Sequence, residues 1–178
     1  SSDEEVKKKL EEVKEEVKRH VERLKRALEK ADRDVKDHVR RLKEVLKRMA
    51  DEVEKVRREP VDEDRLEKVV RDLERKAEKL KRETEETAKR LRDILKELKD
   101  RTEKTKKRLR DKVREIRKEK GADEKVLKDV EEKIRRLEKE LDEVNEDIER
   151  KVRELEKELR AVDEEIKRIV DRLRKELE

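Results

Sequence analysis

The sequence predicts an all-α fold: a monomeric up-down-up three-helix bundle of long, nearly untwisted helices. Three observations predict it. The composition suits helices and little else, one Pro and one Gly divide the chain into thirds, and the apolar residues recur with a single non-heptad period in every third.

Of the 178 residues, 65% are charged, and Phe, Trp, Tyr and Cys are absent. An ordinary soluble domain is only about a quarter charged. A chain this poor in apolar residues normally fails to form a core. Here, however, 60 basic residues are nearly balanced by 55 acidic ones, and the few apolar residues are evenly spaced. A composition of Ala, Glu, Lys, Leu and Arg with helical periodicity reads as a long helix or coiled coil.

The first helix is predicted over residues 2–58, opened by a capping box of Ser2 and Glu5. A loop follows at 59–62. Pro60 has no N–H and clashes with a preceding helical turn, so the helix stops there. Asp62 is a good N-cap for the second helix, 63–119, and Val61 with Leu66 fits a hydrophobic staple. The second loop, 120–122, holds Gly121, which can take the left-handed conformation after a helix end. Asp123 then caps the third helix, 123–178, with Ala122 and Leu127 as a weaker staple. Each helix is roughly 80 Å long at 1.5 Å per residue. Loops this short make consecutive helices antiparallel neighbours, so residues 1–178 form a single three-helix bundle.

The third helix shows the period most cleanly. Its apolar stripe runs Val126, Val130, Ile134, Leu137, Leu141, Val144 and onward to Leu177, in steps of 4, 4, 3, 4 and 3 that then repeat. One cycle of those steps closes after five turns of a relaxed helix, which has about 3.6 residues per turn. A heptad repeat imposes a left-handed supercoil and an 11-residue repeat a right-handed one. The five-turn cycle imposes neither. The first helix keeps the same interval through Val6, Leu24 and Leu42, and through Leu10, Leu28 and Leu46. The second does so through Leu73, Leu91 and Leu109, and through Leu80, Leu98 and Ile116. Each helix carries one stripe with few flanking additions (Ala27, Val45, Val70, Leu95 and Ile169), which suits three helices sharing one core.

Polar residues interrupt the stripes. Thr84, Thr87, Thr102 and Thr105 all lie within about 30° of the stripe centre of the second helix, at about 100° per residue. The two pairs stand one five-turn cycle apart, and so do the only histidines, His20 and His38. Each histidine lies about 50° from the stripe centre of the first helix. Across an antiparallel turn near residue 60, residues at equal height have numbers adding to about 121. This places His38 level with Thr84 and His20 level with Thr102. The spacing therefore predicts two buried polar clusters, His20 with Thr102 and Thr105, and His38 with Thr84 and Thr87. Buried imidazoles and hydroxyls need partners, and each can supply the other's. In the blander reading, the threonines bond back to their own helix and the histidines are half-exposed. The matched spacing favours the clusters. Asn145 falls near the height of His20, but a surface position suits it better than a third place in that cluster.

Buried polar groups fix register, because a slipped alignment leaves them unpaired. Protonation near pH 5–6 would charge a buried histidine and weaken the core. Two such sites in a core of this length predict weakening rather than a switch.

The charged Lys/Glu/Arg surface, the Pro60-Val61-Asp62 and Gly121-Ala122-Asp123 loops, the five-turn stripe and the histidines opposite threonine pairs resemble de novo designed helical bundles. These are idealised parametric structures with hydrogen-bond networks in their cores, and the resemblance covers the whole chain. It implies high stability and a scaffold purpose, with no natural biochemical function and no ligand. The competing reading is a protein-interaction or spacer module of the coiled-coil or spectrin-like type. Spectrin-like repeats place Trp in the core and follow heptads, and this chain does neither.

Catalytic, cofactor and metal sites are not predicted. His20 and His38 stand about 27 Å apart along one helix, too far to share a site. There is no Cys or Tyr, and the only serines are Ser1 and Ser2. Neither histidine has a second His or Cys within one turn; Glu16 beside His20 offers at most an adventitious zinc pair. The net charge of +5 and the short run Lys104-Thr105-Lys106-Lys107-Arg108, flanked by Glu103 and Asp111, do not make a nucleic-acid surface. No apolar run is long enough to span a membrane. The chain is predicted to need no partner. Nothing in the sequence assigns a compartment.

Overall fold

The computed structural model describes residues 2–60 and 62–177. It is a three-helix bundle of α1 (Ser2–Arg58), α2 (Glu63–Arg117) and α3 (Glu124–Leu177), with no strand among the described residues.

Local chemistry explains both breaks. At the first, Asp62 Oδ1 accepts the Arg65 amide at 2.8 Å, and the Asp62 carbonyl accepts the Leu66 amide at 3.1 Å. Asp62 is thus the N-cap of α2. The staple reading paired Leu66 with Val61, which lies outside the described residues, as does the last residue of the third helix as predicted. At the second break, α-helical bonding ends at Arg117, two residues before the predicted end. The amides of Lys118 and Glu119 bond instead to the carbonyls of Glu115 and Ile116, at 3.2 and 3.1 Å. Such i→i+3 bonds tighten a helix end and satisfy otherwise orphaned carbonyls. Gly121 then takes φ +81°, where a side chain would be strained. Asp123 caps α3, its Oδ1 accepting the Lys125 amide at 3.1 Å.

The capping box at Ser2 is not what forms. Ser2 lies inside the first turn of α1, so its hydroxyl is free to reach across. It donates to the Lys120 carbonyl at 2.6 Å, while Asp3 Oδ1 accepts the Asp123 amide at 3.0 Å. The start of α1 is therefore tied to the α2–α3 loop rather than to its own amides.

The chain divides into two compact units, each taking part of all three helices. Unit 1 comprises Ser1–Glu29 and Asp93–Val152; unit 2 comprises Lys30–Arg92 and Arg153–Glu178. In unit 1, Val6, Leu10, Val13 and Val17 of α1 pack with Leu109 and Ile116 of α2 and with Val130, Ile134 and Leu141 of α3. In unit 2, Leu42, Leu46, Met49 and Val53 meet Val69, Leu73 and Leu80 from α2 and Val162, Ile166, Val170 and Leu173 from α3. These are the stripe positions, and each fully buried Leu or Ile contributes about 1.5–3 kcal/mol. Among the described residues no large hydrophobic side chain is exposed.

Charged pairs follow the same geometry. In unit 1, α2 and α3 are bridged by Lys99–Glu149, Lys106–Asp142, Arg110–Glu138 and Arg117–Glu131. The two residue numbers in all four pairs have the same sum, as an antiparallel pair of helices in constant register requires. Between α1 and α2 of this unit, Glu12–Lys112 and Glu16–Arg108 likewise share one sum. Single exposed pairs contribute only about 0–1 kcal/mol, but these all favour one alignment.

Candidate functional site

Six polar side chains lie buried on the stripes: His20 and His38 at 6% exposure, Thr84 at 5%, Thr87 at 7%, Thr102 at 0% and Thr105 at 2%. The flank positions of the two histidines turn inward toward α2. There is one cluster in each unit.

In unit 1, His20 Nε2 stands 3.0 Å from Thr102 Oγ1. The Thr102 hydroxyl donates its proton to the Leu98 carbonyl at 3.0 Å. With that proton committed, Oγ1 can only accept from the ring. The His20 hydrogen that meets it is therefore on Nε2, which makes the neutral ring the Nε2–H tautomer. In unit 2, His38 Nε2 stands 3.2 Å from Thr84 Oγ1, whose hydroxyl donates to the Leu80 carbonyl at 2.9 Å. A second contact points to the same tautomer. Arg41 Nη2 lies 3.5 Å from His38 Nδ1, and a guanidinium can only donate, so Nδ1 carries the lone pair.

The structure brings one threonine of each pair to its histidine. The other turns back to its own helix: Thr87 donates to the Glu83 carbonyl at 2.9 Å and Thr105 to the Arg101 carbonyl at 3.1 Å. Thr87 Oγ1 also accepts from Arg90 Nη2 at 3.3 Å. Asn145 is half-buried, and its buried Oδ1 accepts no hydrogen bond. Glu16, the candidate zinc partner of His20, pairs with Arg108 at 2.8 Å. Among the described residues, no three His, Cys, Asp or Glu side chains gather to hold a metal, and no helix is long and apolar enough to cross a membrane.

Both imidazoles are held below the usual histidine value of 6.5. Burial is the main cause for each. At His20 the charges of Arg108, Arg23 and Arg101 add to it. At His38, Arg41 and Arg90 add to it and Glu83 opposes them. Chemically, each site is a short directional relay, from ring N–H to hydroxyl to helix carbonyl, that joins α1 to α2.

Sequence reasoning missed the arginines around the rings. Their signal is present, because Arg23 and Arg41 are separated by the same five-turn cycle, as are Arg90 and Arg108. It is hidden because nearly every outward position is charged.

No protein-family model matches the chain, and no curated protein matches it. Among solved structures, it is similar to one described as a computationally designed three helix bundle, with 16% sequence identity over 99% of this chain and 85% of that chain, and a TM-score of 0.42.

Proposed function

We propose that this chain is a designed, monomeric structural scaffold with no catalytic activity, whose His20–Thr102 and His38–Thr84 contacts select one register of α1 against α2. The observation that carries this reading is that the bonded pairs repeat once per five-turn cycle, in step with the apolar stripe. Leu, Val and Ile layers are nearly interchangeable, so the apolar stripe alone tolerates sliding. A slip of one turn moves each threonine about 5.4 Å from its ring. Each buried group left unpaired then costs about 1–3 kcal/mol. Uniform composition, two minimal loops and a single period through all three helices fit deliberate construction. Among the described residues the surface is charged and no large hydrophobic side chain is exposed, so no observation favours the interaction-module reading.

The test is a variant in which both histidines and all four threonines become apolar residues of similar size. The expected result is a stable helical protein with several sets of NMR resonances, from alternative alignments. A single sharp set would refute the register role. Sedimentation equilibrium across micromolar concentrations tests the monomer; a dimer or trimer would refute that part.

A further inference from the structure

The two clusters are copies of one arrangement, displaced by one cycle of the stripe. His20, Arg23, Thr102, Thr105 and Arg108 correspond to His38, Arg41, Thr84, Thr87 and Arg90. Of the three charges that act on each ring, two match across the cycle and one does not. Thr84 is preceded by Glu83, whereas Thr102 is preceded by Arg101. The same place beside the ring thus carries opposite charges in the two units.

In unit 2, Arg41 Nη2 lies 3.5 Å from His38 Nδ1 and 3.2 Å from Glu83 Oε2. The guanidinium spans the ring and the carboxylate. A proton arriving at His38 must bind Nδ1, because Nε2 already donates to Thr84. It turns Nδ1 into a donor facing a donor, so Arg41 must leave the ring. Glu83 remains as a partner for the displaced guanidinium and as an anion beside the new imidazolium. In unit 1 the charges acting on His20 are Arg23, Arg101 and Arg108, all cations. Two of these cations have carboxylates of their own, Glu16 with Arg108 at 2.8 Å and Glu97 with Arg101 at 2.7 Å, but no carboxylate is among the charges acting on the His20 ring. Among the described residues, the charges named as acting on the two rings come from α1 and α2.

We propose that the two clusters form a graded acid-responsive device in which His38 takes up its proton before His20 as pH falls, with Glu83 against Arg101 setting the order. Unit 2 then loses its Arg41 contact and loosens at a higher pH than unit 1. This does not depend on the chain being a scaffold, only on the two rings and their neighbours.

The protein's two histidines make a direct test possible. Their ring Cε1–H resonances, assigned with H20Q and H38Q, are followed by NMR as pH is lowered. His38 is expected to have the higher midpoint. E83R should lower the His38 midpoint, and R101E should raise that of His20, each leaving the other ring in place. If circular dichroism shows that a reversal variant does not fold, E83Q and R101Q carry the same directions at smaller size. Equal midpoints, a reversed order, or midpoints indifferent to these substitutions would overturn the proposal. Amide exchange gives a second reading, corrected for its intrinsic pH dependence. Protection around Thr84 and Thr87 should fall at a higher pH than around Thr102 and Thr105, and simultaneous loss refutes the order.

Discussion

Replacing Thr102 with Val isolates the contribution of one relay. The side chain is 0% exposed, and Val has nearly its shape, so the change removes a hydroxyl without opening a cavity. It leaves the His20 Nε2–H, on a ring 6% exposed, without its acceptor at 3.0 Å. An orphaned buried donor costs about 1–3 kcal/mol, while burying a methyl in place of the hydroxyl returns a fraction of one CH₂ contribution, about 0.8 kcal/mol at most. The Leu98 carbonyl keeps its own helical bond, so it adds little. The net expectation is a loss of about 1–2 kcal/mol. His20→Leu combined with Thr102→Val removes both partners, and such paired removal is nearly neutral or stabilising. The coupling in the double-mutant cycle is then about 1–2 kcal/mol. Guanidinium unfolding followed by circular dichroism at pH 8, where the rings are neutral, measures all four proteins. Temperature is raised until the parent shows a full transition. A Thr102→Val cost below about 0.5 kcal/mol, with a double mutant equal to the sum of the singles, would refute the relay.

Other outcomes follow from the same contacts. Thr105→Val should change stability by less than about 0.5 kcal/mol in the same assay, since its hydroxyl bonds only back to the Arg101 carbonyl. Stability should be full above the unfolded histidine value of 6.5 and fall as pH drops from there toward the lower folded values, because the unfolded chain then binds more protons. H20Q/H38Q should lose that slope between about pH 6.5 and 5, above the carboxylate range, when unfolding is measured across it. Gly121→Ala should cost about 1 kcal/mol, read from the thermal midpoint. At φ +81° the conformation itself disfavours a side chain, whereas the nearest atom to an added Cβ, Ser2 Oγ, is at an ordinary 3.5 Å. Asp142→Lys should cost about 1 kcal/mol or less at low salt and much less in 1 M NaCl, because its pairing with Lys106 is half in solvent. The Thr102→Val cost should not respond to salt, and comparable salt sensitivity in both would contradict the assignments.

Much of this core is legible in the sequence because period and chemistry coincide. The step pattern identifies Leu141, Ile148 and Leu155 as inward positions, and all three are buried. The height rule pairs His20 with Thr102 and His38 with Thr84, since one short loop sets the approximate height of α1 against α2. What stays hidden is finer than a helical turn. Thr84 and Thr87 lie at similar angles to the stripe, so angle alone cannot say which one meets the ring. Nearly a turn further along the helix, Thr87 finds the Glu83 carbonyl and Arg90 instead. Ser2 departs from expectation because a capping box assumes that the hydroxyl has only its own helix to bond, while folding places the Lys120 carbonyl within 2.6 Å.

The contacts that bridge the helices differ from pair to pair. Between α1 and α2 they include the buried His–Thr hydrogen bonds, which salt screens little. Between α2 and α3 the bridging contacts in unit 1 are ionic, and their strength depends on cover. Lys106 is only 14% exposed, and Asp142 holds it above the usual lysine value. Arg117 grips both carboxylate oxygens of Glu131, a side chain 12% exposed, at 2.6 and 3.1 Å. A bidentate contact of this kind has a directionality that a point-charge pair lacks. It stands beside the turn that Gly121 makes, where a loop of minimal length already restricts sliding. The polar relays lie away from that turn, beside the α1–α2 ion pairs Glu16–Arg108 and Arg41–Glu83. If the relays select register as proposed, the His20–Thr102 contact acts alongside Lys99–Glu149 and Lys106–Asp142, many turns from that loop.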